Sequence, residues 1–351
     1  MAPMPDFFGP LAALAGFGPA ARIRRGFEIL ATAPRPPAGL TPHQVAFSQG
    51  RVQLKYYAPP SRVLGRLPIV LVPSLINRAY ILDLEPGRSM VEALAAMGHP
   101  TFLVDWGVPG PESCGEDVDD VLRLLRRNID RACRHVGARR AVLFGYCMGG
   151  TLAALLAARY PERIAGLLAL NAPILFSEGG RFAAFVRDLD VNAAFHADGL
   201  VPVSAMKPAF QLLDPVGNIS KHLAIEAASH DREKLARVLV RERWLEENVP
   251  LPGAFARTFI REGYQRDGLM RASWVVDGQV ARLDRIAVPT LVVACQRDFI
   301  TPPASATPLA AAVRDGRAQV LDTGHIGVVV GSEGPRRFFP MVDDFARAVA
   351  A

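Results

Sequence analysis

The sequence predicts an α/β protein: a mostly parallel sheet with helices on both faces, interrupted by one mostly helical insertion. Short apolar runs at residues 68–73, 101–106, 141–145, 164–171 and 288–295 have the length and near-continuous hydrophobicity of strands buried on both sides. Helix-forming stretches alternate with them, which is the order of parallel strands joined by crossovers. The alternation lapses from about 173 to 285 and then resumes, so the intervening chain reads as an insertion and not as a second repeat.

The elements follow in order. Residues 7–21 are apolar but broken by Gly9-Pro10 and Gly18-Pro19, and they are too short to span a bilayer. They are expected as a surface helix that continues through Arg22, Arg24 and Arg25 and packs on the body. No basic stretch precedes them, so no secretory signal is expected. A Pro-rich connector leads to residues 45–57, two β-rich arms around Gln49-Gly50 that predict a hairpin. The strand at 68–73 runs into a loop at 74–80. A helix from Ser89 to Met97, stopped by Gly98, precedes the strand at 101–106. An amphipathic helix at 117–135 precedes the strand at 141–145, a helix at 151–159 follows, and then comes the strand at 164–171. After the insertion, the strand at 288–295, a helix at 305–313, a strand at 318–322 and a helix at 336–350 complete the chain. The expected organisation is an N-terminal extension (1–40), a core in two pieces (41–172 and 286–351) and a cap insertion (173–285).

The chain is organised around residues 142–150, an apolar run ending in Gly145-Tyr146-Cys147-Met148-Gly149-Gly150. The spacing is that of the G-x-S-x-G nucleophile elbow with a thiol in place of the hydroxyl. Glycines on both sides are needed because a Cβ there would meet the neighbouring strand or helix. Cys147 would stand at a helix N-terminus, where the dipole favours a thiolate.

The net charge of +6 and pI near 9.4 come mostly from arginines scattered along the chain. Without basic tracts, nucleic-acid binding is not expected, whereas a basic surface suits a polyanionic ligand such as a coenzyme A thioester. The four cysteines form no C-x-x-C pair and no zinc spacing, so no metal is expected and a reduced, cytoplasmic protein fits best. Cys133 and Cys295 read as packing residues, and Cys114 sits unassigned in a Gly/Pro-rich loop.

In an open α/β sheet, functional groups collect at the carboxyl ends of strands. Three such ends carry Cys147, Asp298 and His325. Nucleophile, then acid, then histidine is the chain order of the α/β-hydrolase fold. A thiol with its ordinary pKa near ~8.5 needs a base, for which His325 is the candidate, and Asp298 would orient the ring. The Met148 amide and an amide of the 74–77 loop, taken as that of Ile76, would form the oxyanion hole. Asp105, beside Trp106, reads as structural, and the other six histidines as surface or core residues.

Several stretches together resemble the polyhydroxyalkanoate synthases, in size the catalytic subunit of the short two-component (class III) type. Residues 75–84, Arg88-Ser89 and 105–107 resemble the stretch before that family's nucleophile, and 145–150 its cysteine-containing lipase box. Arg243-Trp244 and 255–259 resemble part of its cap, and 324–327 its histidine loop. Carried over by position, the nucleophile falls on Cys147, the aspartate on Asp298 and the histidine on His325. The resemblance implies an acyltransferase that polymerises (R)-3-hydroxyacyl-CoA on a cysteine thioester, with the CoA thioester as substrate and no other cofactor. It also implies as partners a second synthase subunit, a homodimer and the polymer granule surface. One position departs: Phe299 follows Asp298 where the family usually has histidine. Alternative readings are a thiol hydrolase resembling dienelactone hydrolase, an acyl-CoA thioesterase, and a non-catalytic granule-associated partner.

Overall fold

The computed structural model describes residues 18–61 and 65–350. The first seventeen residues, on which most of the expected N-terminal apolar stretch falls, lie outside the described part. Its continuation is the helix α1 (Pro19–Thr32).

Eight strands form one sheet: β1 (Gln44–Gln49), β2 (Val52–Tyr57), β3 (Ile69–Val72), β4 (Thr101–Asp105), β5 (Ala141–Tyr146), β6 (Ile164–Leu170), β7 (Thr290–Cys295) and β8 (Gly316–Leu321). Their order across the sheet is β1-β2-β4-β3-β5-β6-β7-β8. β1 pairs antiparallel with β2, and β2 with β4; every other pairing is parallel. Every residue of β3, β5, β6 and β7 is buried, as their continuous apolar sequences require. β1 and β8, at the edges, are largely exposed.

Helices cover both faces. On one lie α2 (Met90–Ala96) and, at the end of the chain, a helix over Phe339–Ala350. On the other lie α3 (Val118–Val136) and α4 (Met148–Arg159). α3 begins with a capping box between Asp117 and Asp120 and ends at Gly137, whose φ of 70° suits glycine. α4 is apolar all round and buried throughout from Gly149 to Ala158, so it is held by the core and not by an amphipathic stripe. The structure departs from the expected helix at 305–313. Pro308 cannot continue a helix from the turn before it, and the chain instead makes two short turns, Pro303–Ala306 and Pro308–Ala312.

Between β6 and β7 the chain builds α5 (Gly180–Val186), α6 (Val203–Leu213), α7 (Pro215–Ala228), α8 (Arg232–Glu246) and α9 (Gly253–Phe259), with two ladders of two-residue strands. α1 lies against α7. The contact is close at Gly26, where a Cβ would stand 2.0 Å from the His222 carbonyl oxygen, and the Phe27 ring stacks on His222 with centroids 3.4 Å apart.

The order of the sheet decides where a site can form. The chain moves outward from β3 to β4 and returns to the other side of β3 as β5, so a crevice opens between the carboxyl ends of β3 and β5. The loop after β3 and Cys147 after β5 flank that crevice.

Candidate active site

Cys147 occupies a backbone conformation that side chains other than glycine avoid, φ 56° and ψ −128°. Such a conformation costs of order 1–3 kcal/mol. Full burial of Leu152, Leu155 and Leu156 on α4 contributes roughly 1.5–3 kcal/mol each, so the helix outweighs the strain of its own first turn. The Cys147 N–H donates to Leu170 O at 2.9 Å, which ties the elbow to β6. The three glycines give the elbow its room. A Cβ on Gly145 would meet Gly150 Cα at 2.4 Å, one on Gly149 would meet Val72 O at 2.0 Å, and one on Gly150 would meet the Ala172 methyl at 2.4 Å.

Asp298, in the loop after β7, is buried, and its two oxygens have separate partners. Oδ1 accepts from the N–H groups of Ile300 (2.9 Å) and Thr301 (2.8 Å). Oδ2, held at a fixed angle by them, lies 2.6 Å from His325 Nδ1. With Nδ1 donating to the carboxylate, Nε2 is the nitrogen left to exchange a proton. Burial pulls the His325 imidazole down, but the charges of Asp298 and Cys147, together with the hydrogen bond to Asp298, reverse this and raise it to about 10. Carboxylate and imidazole are therefore hydrogen-bonded, and the Cys147 thiol, near enough to act electrostatically on the ring, lines the same cavity as the imidazole.

Two residues that the sequence reading did not single out hold the histidine loop. The Tyr146 hydroxyl donates to the His325 carbonyl oxygen at 3.0 Å, and Asn171 Nδ2 donates to the same oxygen at 3.1 Å. Desolvation raises Tyr146 well above the usual tyrosine range, so its hydroxyl stays a donor. Asn171 had a signal in the sequence, as a polar residue ending an apolar strand; its φ of 46° is one that asparagine tolerates. Tyr146 gave none. Its value lies in where its hydroxyl ends, 179 residues along the chain from its partner.

The other expected assignments have clear surroundings. Met148 is the first residue of α4. The Ile76 loop is pinned at its start by Trp106 Nε1, which donates to Pro73 O at 3.0 Å. Asp105 pairs with Lys55 at 2.7 Å. Cys133 and Cys295 are buried. Among the described residues, no group of three or more His, Cys, Asp or Glu could hold a metal ion.

A cavity of about 1670 Å³ opens over Cys147, larger than the ~300–1,000 Å³ of ordinary small-molecule sites. Tyr146, Cys147 and His325 line it together with Ser74, Ile76, Asn77 and Arg78 of the loop after β3, and Phe299 and Ile300 of the loop after β7. α1, α7 and α8 contribute the outer lining. Phe299 is 45% exposed and presents an apolar ring beside the aspartate.

A part-buried, strained cysteine facing a carboxylate-bound histidine defines a class. The chain belongs to the α/β-hydrolase fold family, whose model, described as alpha/beta hydrolase fold, matches residues 68–332. Within that class its sequence is similar to poly(3-hydroxyalkanoate) polymerases. A second model, described as Poly-beta-hydroxybutyrate polymerase (PhaC) N-terminus, matches residues 37–94. The chain is 30% identical to the poly(3-hydroxyalkanoate) polymerase subunit PhaC of Haloferax mediterranei, over 88% of this chain and 64% of that one. It thus spans just under two thirds of the archaeal protein. It is 25% identical to the subunit of the same name from Allochromatium vinosum over 92% of both chains, and 26% identical to that of Synechocystis over 87% and 84%. Among solved structures it is similar in fold to a non-heme bromoperoxidase-like protein of Mycobacterium tuberculosis (TM-score 0.54, 16% identity, 88% and 100% covered). An α/β-hydrolase fold protein of Nakamurella multipartita is similar to the same degree (0.54, 19%, 88% and 99%).

Proposed function

We propose that the chain is an acyltransferase that polymerises (R)-3-hydroxyacyl-CoA into polyhydroxyalkanoate through a covalent Cys147 thioester. The observation that carries this reading is the Asp298–His325 hydrogen bond in one cavity lining with a cysteine on a strained elbow. In the first half-reaction Cys147 Sγ, its proton already held by the His325 imidazolium, attacks the thioester carbonyl. The oxyanion is met by the amides of Met148 and Ile76. Its collapse breaks the bond to the CoA sulfur, which leaves with the proton held by His325. One thioester replaces another, so the step is nearly balanced in energy.

In the second half-reaction His325 takes the proton of a second monomer's 3-hydroxyl, and the alkoxide attacks the Cys147 thioester. An ester bond forms, the thiol is restored, and the lengthened chain, carried on CoA, returns to Cys147 by the first exchange. Water would divert either acyl-enzyme to free acid. The reading assigns residues 173–285 to a cap that excludes it, inserted into a core of residues 41–172 and 286–351 behind an extension at 1–40.

The same reading makes a second synthase subunit, a second copy of this chain and the polymer granule surface the partners, and a cytoplasmic, granule-associated location the setting. Among the described residues no helix is long and apolar enough to cross a membrane. It also needs no metal or organic cofactor. Dialysis against EDTA is therefore expected to leave turnover unchanged, and activity restored only by an added divalent ion would contradict this.

The test is to mix the protein with 3-hydroxybutyryl-CoA and follow free thiol and insoluble polymer, with and without a candidate second subunit. Cys147→Ala is expected to abolish thiol release. Thiol release accompanied only by free hydroxy acid would replace the polymerase reading with hydrolysis.

A further inference from the structure

The loop that carries Ile76 is held from two sides, and one of them is the segment that ends α8. Its start is fixed by the core through Trp106. Its far half is fixed by residues 243–249. The Trp244 indole N–H donates to Arg78 O at 2.8 Å. The Val249 N–H donates to Ile76 O at 3.0 Å, and Asn248 Nδ2 reaches the same oxygen at 3.4 Å. Asn77 and Asn248 form an isolated antiparallel bridge. The Tyr80 hydroxyl donates to Glu247 at 2.9 Å, and Glu247 in turn accepts from Arg243 Nε at 2.7 Å.

These ties bear on direction as well as on adhesion. A peptide unit is planar, so fixing the Ile76 carbonyl fixes the plane of the 76–77 peptide and, at the shared Ile76 Cα, one end of the 75–76 peptide that carries the Ile76 N–H. With Pro73 O anchored at the other end, the amides between the anchors have little freedom left. Residues 74–77 form neither helix nor strand of their own, apart from that single bridge, so nothing regular holds them if the far anchor is lost. An oxyanion donor must meet its target at about 2.7–3.1 Å, and a displacement of about 1 Å costs on the order of a hundredfold in rate.

We infer that residues 244–249 act as a positioning strap that aims the oxyanion-hole amide of Ile76, with Trp244, Asn248 and, through Glu247, Tyr80 as positioning residues. This rests on the assignment of Ile76 and Cys147 in the proposed function. The strap couples two parts far apart in sequence: a cap displaced from the core takes the oxyanion donor with it, and a cap in place completes the hole. Acylation then runs only when the cavity is covered.

Two variants test the strap. Tyr80→Phe removes one hydroxyl without opening a cavity, and Trp244→Phe removes the indole donor. Acylation of Cys147 is followed in single turnover with 3-hydroxybutyryl-CoA and separately with p-nitrophenyl butyrate. Alkylation of Cys147 by iodoacetamide is measured alongside, because that displacement builds no oxyanion. The expected result is acylation slowed about tenfold to a hundredfold with both acyl donors, KM within about twofold of wild type, and alkylation unchanged. Acylation at the wild-type rate in both variants would overturn the strap. So would acylation and alkylation slowed together, since that marks general disturbance of the site. A wild-type protein that reacts with the p-nitrophenyl ester but not with hydroxyacyl-CoA would sink the proposed substrate and leave the strap's test intact. If Trp244→Phe fails to fold, Tyr80→Phe decides alone.

Discussion

Tyr146 and Asn171 converge on one atom, the carbonyl oxygen of His325, and the catalytic geometry depends on that convergence. In the proposed mechanism the imidazole keeps Nδ1 on Asp298 while Nε2 exchanges protons with a thiol, and the ring can do both only if its backbone does not drift. Tyr146→Phe removes one of the two donors and leaves the ring volume in place. It is expected to cost about 1 kcal/mol of stability and to slow acylation roughly tenfold, measured by chemical denaturation and by single-turnover kinetics. A pH experiment reads the same ring. His325 is raised from the ordinary histidine range to about 10 because Asp298 and Cys147 outweigh its burial. A group raised on folding stabilises fully below its unfolded pKa, near ~6.5, and loses that contribution as pH climbs through the folded value. The difference in melting temperature between wild type and His325→Gln is therefore expected to be widest near pH 6 and to close toward pH 10. A difference that grew with pH would contradict the ion-paired arrangement.

At the scale of elements, α1 is held on α7 by a contact that only glycine permits. Gly26 lies flush on the His222 carbonyl, Phe27 stacks on the His222 ring, and Arg22 pairs with Glu226 at 2.8 Å. Backbone cannot yield as a flexible side chain can, so Gly26→Ala is expected to cost about 1–3 kcal/mol at this contact. It should expose α1 to trypsin at Arg22, Arg24 and Arg25, which limited proteolysis followed by mass measurement detects; an unchanged cleavage pattern would show that α1 is held elsewhere. This contact was not legible in the sequence. The strands were, because runs such as Ile69 to Val72 and Ile164 to Leu170 are apolar on both faces and fit only a covered sheet. The elbow was legible too, since its glycines answer a local demand. Boundaries were less so: Pro308 breaks the expected helix into two turns. Least legible were the ties between residues 73–80 and 243–249, and the Tyr146 bond to His325. Each pairs groups more than 160 positions apart, and the local sequence at either end records nothing of its partner.

For the molecule as a whole, the net charge of +6 acquires a location. The cavity lining includes Arg78, Arg88, Lys221, Arg237, Arg241 and Arg243, against Glu85, Asp214, Glu242 and Glu246. Most of this charge is neutralised in place: Glu242, almost fully buried, takes both Lys221 (3.4 Å) and Arg241 (3.2 Å), Glu85 takes Arg88 (3.4 Å), Glu233 takes Arg237 (3.3 Å) and Glu247 takes Arg243 (2.7 Å), while Arg78 and Lys207, also in the lining, make no ion pair among the described residues. A positive surplus remains, in a concave surface where field lines are focused and counter-ions concentrate. If the acyl donor is a CoA thioester, that surplus acts on its phosphates and not on its acyl group. Raising ionic strength from about 0.05 M to about 0.5 M shortens the screening length from roughly 14 Å to roughly 4 Å. KM for 3-hydroxybutyryl-CoA is then expected to rise severalfold while kcat holds, because the chemistry at Cys147 lies in a site where salt penetrates little. The matching N-acetylcysteamine thioester carries the same acyl group and no phosphate, so its KM should stay flat over the same range. Parallel rises for both donors would assign the salt effect to the cap or the fold. A flat response for both would mean that the basic lining serves something other than the acyl donor.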